Sequence, residues 1–573
     1  MDHRVRDGAV WVARILLGCS VSLSASAQVP HLELKGPDSL WELTGVCPVG
    51  DLDQDGVTDL VLGADKAGLQ NDGGEVHVVS GATGATLLGP HYGPRDATWG
   101  HFVAGIDDFD GDGIEDFAAG IPDEGPGSFH GEVRVWSGAT GQEIVLIPYP
   151  YGFDNLFGNE LFPLGDVDQD GYSEFGVNFF DGPEDFLIYG GPDGSLDRVH
   201  PEAGSPGGFG IGRPSGASIG DVDADGVPDY VVGWRQGEGF GPNGLVVLFS
   251  GKTGQEILRN IGGGYEGAAL APMGDLDGDG TPDFASGAPW SSQYICPGND
   301  YPGNVRLRSG KDLSLLGIID GPREYFPAHG CTFYQLDGGE DVNGDGVCDL
   351  MSFAAGAYPH NDPKWGHDVR GTLSIHSGRT GTLLWRMLGD GWNSSLVGDL
   401  DGDGLSEWAW GNERHSKPLL LQGKVTVYRG WPGDAERVCT AGQNSTGNAA
   451  RLSFEGPIGI RNNHLSLVIE GGVPDASGAF FYGPELVMRP FGDGTLCAGG
   501  GTIGRQRIGT PVKLDQDGFV MQPVDMNAPP MGGGGPASWT VGSTWVVQFV
   551  YRDRDSTGAG FNLSDAMLVT WLP

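Results

Sequence analysis

Seven short acidic clusters at nearly even spacing constrain this chain more than any other feature. The first three read Asp51-Leu-Asp53-Gln-Asp55-Gly56-Val-Thr-Asp59, Asp108-Phe-Asp110-Gly-Asp112-Gly113-Ile-Glu-Asp116 and Asp166-Val-Asp168-Gln-Asp170-Gly171-Tyr-Ser-Glu174. The next two are Asp221-Val-Asp223-Ala-Asp225-Gly226-Val-Pro-Asp229 and Asp275-Leu-Asp277-Gly-Asp279-Gly280-Thr-Pro-Asp283. The last two are Asp341-Val-Asn343-Gly-Asp345-Gly346-Val-Cys-Asp349 and Asp399-Leu-Asp401-Gly-Asp403-Gly404-Leu-Ser-Glu407. Their first positions lie 57, 58, 55, 54, 66 and 58 residues apart. In such a loop the side chains at positions one, three and five face a common centre. Glycine at six permits the sharp turn, and a carbonyl near seven with the acid at nine closes the far side. Ca2+ takes six to eight hard oxygens of this kind at about 2.3–2.6 Å. Three or four carboxylates held so close repel one another strongly without a cation. A solvated Asp-Gly turn would explain one such cluster but not seven. The expectation is about seven Ca2+ ions, held by 27 acidic residues and Asn343.

These loops are not EF-hands, which need a Glu at position twelve and flanking helices. Position nine leads straight into an apolar strand pattern, as in Asp59-Leu-Val-Leu-Gly63 and Asp229-Tyr-Val-Val-Gly233. A further strand follows downstream in most units, for example Gly74-Glu-Val-His-Val-Val-Ser-Gly81 and Gly244-Leu-Val-Val-Leu-Phe-Ser-Gly251. A tight turn such as Ala139-Thr-Gly141 then launches another extended run. Four strands in about 58 residues make one propeller blade. The fold expected is therefore all-β, with a seven-bladed calcium-loop propeller over residues 28–436 and a β-sandwich-like domain over 437–573. An open ring would leave bare β-edges. The seventh unit has a third strand near Val425–Tyr428 and no clear fourth, while His31-Leu-Glu-Leu-Lys35 is a spare alternating segment. That segment is expected to complete blade seven; the alternative is a disordered leader.

The formal charge of −43 makes nucleic acid and anionic membranes poor electrostatic partners. Residues 1–27 read as a signal peptide. Arg4 and Arg6 precede an apolar stretch, and Ala25-Ser26-Ala27 has the form of a cleavage site. A lipoprotein reading at Leu16-Leu17-Gly18-Cys19 is the alternative. No later stretch reaches the ~18 apolar residues of a membrane span, so no direct membrane insertion is expected and the location is secreted or cell-envelope. Cys47, Cys296, Cys331, Cys348, Cys439 and Cys497 remain after the leader, without the close pairs of a zinc site. Cys439 with Cys497 is the first choice for a disulfide, because both lie in the final domain; Cys296 with Cys331 is the second.

The repeats resemble FG-GAP repeats, found in the integrin α-subunit head and in many bacterial extracellular proteins. Phe157-Gly158 and Phe209-Gly210 match the Phe-Gly half upstream of the loop, and Gly63-Ala64 and Gly287-Ala288-Pro289 the Gly-Ala-Pro half after it. The resemblance covers about residues 40–430. It implies a seven-bladed propeller with calcium in blade hairpins, serving cell adhesion or other extracellular recognition. In integrins only some blades bind calcium, whereas all seven units here carry the loop. Unit six departs furthest, with Asn343, the longest spacing and no clear Phe-Gly.

The last ~135 residues carry strand-like runs at Ala450–Phe454, Leu465–Ile469, Ala479–Tyr482, Trp545–Tyr551 and Met567–Trp571. Short strands separated by Gly and Pro read as a β-sandwich. The region resembles a C-terminal module of secreted planctomycete-like and myxobacterial proteins, through features such as Phe480-Phe-Tyr-Gly483 and Phe491-Gly-Asp-Gly-Thr-Leu-Cys497; that resemblance implies no chemistry. Asp515-Gln-Asp517-Gly518 repeats a fragment of the loop motif. No nucleophile elbow, zinc helix or phosphate loop is present. His77 and His376 fall in third strands as packed residues, and His91, His101, His329, His360 and His367 in loops. The leading functional reading is a secreted calcium-binding recognition or adhesion protein. It would bind an extracellular protein or polysaccharide through long loops including Trp290–Pro302 and Tyr358–Asp368. The alternatives are a calcium-dependent carbohydrate-active enzyme such as a polysaccharide lyase, and a structural envelope or matrix component.

Overall fold

The computed structural model describes residues 12–15, 30–35, 41–67, 74–93, 100, 102–121, 131–150, 157–178, 186–200, 214–234, 243–289, 303–320, 332–355, 371–389, 393–412, 424–430, 435–455, 465–528, 530–532, 534–540, 543–553 and 559–571. Phe209-Gly210, Cys296, Cys331 and the loops 290–302 and 358–368 lie outside them.

Strands of four to nine residues separated by turns fold into seven antiparallel sheets; in blades one to six four strands are hydrogen-bonded in chain order, and in blade seven three such strands are joined by the N-terminal segment. Blade one comprises Trp41–Pro48, Leu60–Ala67, Glu75–Val79 and Thr86–Tyr92. Third strands are buried on both faces, as Glu75–Val79 and Phe186–Gly190 are throughout, and so read as nearly unbroken apolar runs. In blades one to five the fourth strands form the outer rim and expose apolar residues, among them Tyr92, Leu196, Ile261 and Leu315. Blades three and five, whose third strands the sequence pattern does not single out, have them at Phe186–Gly190 and Asn304–Arg308.

The core is divided among the blade interfaces. A separate apolar cluster fills each of the seven gaps between neighbouring blades. First strands touch the first strands on either side, including Asn393–Gly398 of blade seven against Trp41–Pro48 of blade one. The ring is closed. The closing strand is Pro30–Lys35, which pairs antiparallel with Lys424–Tyr428 in the register Leu32↔Val427 and Leu34↔Val425. Leu32 and Leu34 are buried with Val46, Leu60, Val397 and Val427 between blades seven and one, which is why that short segment alternates apolar and polar. Val12–Ile15 pairs on the outside of this strand. It lies in the expected leader, and cleavage after Ala27 would leave Pro30–Lys35 outermost.

Glycines allow the blades to approach. A Cβ on Gly63 would sit 1.8 Å from the carbonyl oxygen of Gly100 in the next blade, and one on Gly120 equally close to Gly158. The Gly-small half of the motif in one blade is thus seated on the glycine that opens the next.

The C-terminal region has Ala435–Cys439 as its first strand. Its five-stranded sheet runs Ala435–Cys439, Phe561–Thr570, Thr544–Arg552, Ser477–Gly483, Gln506–Lys513. A three-stranded sheet contains Arg451–Glu455, Ser466–Glu470 and Val520–Pro523. One continuous core, including Phe480, Tyr482, Phe549, Leu467 and Trp571, fills the sandwich. Cys439 and Cys497 form a disulfide, which ties the first strand to the hairpin Glu485–Phe491/Gly494–Gly499. That hairpin and Gln506–Lys513 were not legible in the sequence, because their exposed, glycine- and proline-interrupted residues give no alternation. Arg451–Glu455 lies against Leu383–Gly389, the outer strand of blade six.

Candidate metal centres

Each acidic loop joins the first strand of a blade to the second. Its shape follows from backbone N–H groups wrapping around the acids. In loop one the Asp51 carboxylate accepts from the amides of Asp55 (3.0 Å) and Gly56 (2.8 Å). Asp53 accepts from Asp55 N–H, and Asp55 from Val57 N–H. The same bonds from positions five and six to position one recur in the other six loops. The glycine at six adopts φ between 81° and 96° in all seven, and a Cβ there would meet nothing within 4 Å. The dihedral, not crowding, demands glycine. Position four is also left-handed, and Gln54, Gln169 and Ala224 occupy it at φ near 60°.

The acid at nine does more than sequence reasoning assigned to it. Asp59, Asp116, Asp229, Asp283 and Asp349 are completely buried, as is Glu407, and Glu174 nearly so. In loop two, Asp116 Oδ2 accepts from the amides of Phe109 (2.8 Å) and Asp110 (3.0 Å), while Oδ1 accepts from Gly138 N–H (2.9 Å). The bond from the glycine after the third strand recurs from Gly81, Gly251, Gly310, Gly378 and Gly430. In loops one, two and four to seven, position nine is therefore also a latch between the loop and the third strand. The partnering glycine went unrecognised as part of the loop because it stands 22 to 29 residues away. Its recurrence in the Ser-Gly ending of most third strands was the available signal.

Burial drives the carboxyls at position nine upward: Asp59 to about 6, Asp116 to about 7, Glu174 and Glu407 to about 8, and Asp349 well above the ordinary range. Neighbouring carboxylates add to the effect of burial at Asp110, Asp168 and Asp403. A cation at the centre would relieve both costs. Single oxygens of Asp51, Asp53 and Asp59, of Asp108, Asp110 and Asp116, and of Asp166, Asp168 and Glu174 lie within 4.8 Å of one another. In loops four and five the converging acids are Asp221, Asp223 and Asp225, and Asp275, Asp277 and Asp279. Six such groups occur among the described residues. The donors are all hard oxygens, the set calcium takes, so the residues fit the ion. In loop six Asn343 donates from Nδ2 to Asp345 Oδ2 at 3.3 Å. In loop seven Asp401 faces Arg429 at 2.6 Å.

One histidine is placed differently from the sequence reading. His91 sits in the strand Thr86–Tyr92, not in a loop, and packs against Phe117 and Trp136. His77 is buried as expected but bonds Glu75 at 3.0 Å. Asp515 accepts from the amides of Asp517 and Phe519 and forms the turn into Val520–Pro523.

The fold and the loops together define a class: a seven-bladed propeller with an acidic, calcium-type loop in each blade. A family profile described as "FG-GAP repeat" matches residues 267–307, which lie in blade five. Integrin alpha-5 of Xenopus laevis is 27% identical over 208 residues, covering 32% of this chain and 19% of its own. Integrin alpha-7 of Homo sapiens is 30% identical over 146 residues, covering 23% of this chain and 11% of its own. Integrin alpha-V of Gallus gallus is 30% identical over 271 residues, covering 46% and 20%. The matches thus span at most a fifth of these relatives' length. The chain thus carries an FG-GAP repeat and is distantly similar to the integrin α chains, consistent with an FG-GAP, integrin-α-like propeller. Among the described residues no helix is long and apolar enough to cross a membrane.

Proposed function

We propose that this chain, after removal of residues 1–27, is an exported adhesion or recognition protein whose seven loops each hold one Ca2+. The ligands would be the side chains at positions one, three, five and nine, with Asn343 replacing an acid in loop six. The observation that carries the reading is the convergence of acidic oxygens within 4.8 Å at the same point of successive blades. Bound calcium would supply the positive charge that lets these carboxylates stay ionised while buried or crowded. The chain's own residues orient them: position one is clamped by two amides, and in loops one, two and four to seven position nine joins the loop to the third strand. The result would be a stiff ring carrying variable loops at its surface, the arrangement that recognition proteins use. The loops 290–302 and 358–368 are the first candidates for contact with an extracellular protein or polysaccharide.

Elemental analysis of the purified mature chain after exhaustive dialysis tests the metal reading. About seven calcium ions per chain are expected, and one or none in a folded protein would overturn it. Capture on immobilised matrix proteins and acidic polysaccharides, with and without calcium, tests the recognition reading. It predicts retention that calcium removal abolishes.

A further inference from the structure

The residues beside the latch glycine decide which charge faces each loop. The residue before it is serine in blades one, two, four, five and six: Ser80, Ser137, Ser250, Ser309 and Ser377. In blade seven it is Arg429, whose Nη1 lies 2.6 Å from Asp401 Oδ2 at position three. The residue after the glycine is Ala82, Ala139 and Pro192 in blades one to three, then Lys252, Lys311 and Arg379 in blades four to six. Lys311 Nζ lies 3.1 Å from Asp279 Oδ2, and Arg379 Nε 3.4 Å from Asp345 Oδ1, both at position five. Lys252 reaches only the carbonyl of Asp225, at 3.5 Å. Among the described residues, no basic side chain pairs with a carboxylate of loops one to three. Further acids approach two of these loops instead. Glu115 abuts Gly50 beside loop one, and Asp197 adds its charge to the field at Asp168.

We propose that these resident cations sort the seven loops into two calcium classes: tight sites in blades one to four, and weakened sites in blades five to seven, where Lys311, Arg379 and Arg429 compete with the ion for a ligand carboxylate. The inference rests on the calcium reading above. The cations are about half exposed, at 62%, 48% and 47%, so each can swing away and the sites are weakened, not closed. A unit positive charge a few ångströms from a divalent ion, partly screened by water and salt, lowers affinity by roughly ten-fold. Loop six is weakened twice, because Asn343 also removes a ligand charge. Loop seven adjoins the ring seam: His31 of the closing strand lies 3.4 Å from Arg429 and 4.0 Å from Asp401. At low calcium the arc of blades five to seven would keep part of its loop charge compensated from within, while blades one to four depend on the ion.

Calorimetric titration of CaCl2 into the metal-stripped mature chain at constant ionic strength tests this. About four tight and three roughly ten-fold weaker sites are expected. The triple variant Lys311→Gln, Arg379→Gln, Arg429→Gln should move the sites of loops five and seven into the tight class and raise loop six only part of the way, because Asn343 remains. The reverse variant Ala82→Lys, Ala139→Lys should move two sites into the weaker class. A single class in the unaltered protein, or an unchanged isotherm in both variants, overturns the sorting while leaving the calcium sites intact. No calcium uptake at all overturns the calcium reading itself.

Discussion

The propeller and the C-terminal domain are both all-β, yet they are held together in opposite ways. The propeller divides its apolar residues among seven small inter-blade clusters and concentrates its acids at the loops between first and second strands. The C-terminal domain gathers one large aromatic core, in which Trp539 stacks on Trp571 at 4.1 Å, and adds a disulfide. A ring of thin interfaces depends on every closure holding, so a destabilised loop is felt around the circle. A single dense core is indifferent to ions. On the calcium reading, the same strand chemistry yields one domain tuned by cations and one set by packing.

Calcium removal should separate the two most sharply. At a hundredfold excess over its dissociation constant each bound ion contributes about 2.7 kcal/mol, and the loops act together. Differential scanning calorimetry of the metal-stripped protein should show the propeller transition falling by tens of degrees, roughly, with the C-terminal transition unmoved. Equal shifts in both would mean that the domains unfold as one unit.

The converse perturbation is Trp571→Ala. Trp571 is fully buried, and truncating such a side chain costs about 3–5 kcal/mol. The C-terminal transition should drop while calcium stoichiometry and the propeller transition stay unchanged. A loss of bound calcium would break the comparison.

A smaller effect concerns pH. Asp337, in the first strand of blade six, accepts from Ser395 Oγ and Leu396 N–H of blade seven, each at 2.9 Å, and so staples two blades. Burial pushes its carboxyl up to about 6. Because the folded value lies above that of the unfolded chain, near 3.9, the folded form binds the proton more tightly. The stabilisation is complete below about pH 4 and is lost as pH rises through about 6. Melts in saturating calcium should show the propeller losing about 1–2 kcal/mol over that window. Asp337→Asn should flatten the profile, and the C-terminal transition should follow neither change.

Much of the propeller was legible because its information is local. The spacing of Asp51, Asp53 and Asp55 and the glycine at 56 encode a loop through side-chain direction and one dihedral. The alternation of Leu32 and Leu34 marked a strand with one buried face, and the missing fourth strand of unit seven supplied its place. The C-terminal sheet order was not legible. Phe561–Thr570 lies between Ala435–Cys439 and Thr544–Arg552, an arrangement that no short-range pattern specifies.

By itself the sequence determined the number of blades and the turn chemistry of every loop, since each follows from periodicity or a dihedral requirement; it ranked the closing strand and the Cys439–Cys497 pairing first and left their alternatives open, and the structure settled both. Tertiary structure alone decided what surrounds the loops. It placed Gly138 on Asp116, buried the acid at nine, set Arg429 against Asp401 and joined Glu33 to Lys424 across 391 residues at 2.9 Å. Those contacts depend on how neighbouring strands and blades are packed in register, which no local run of residues records.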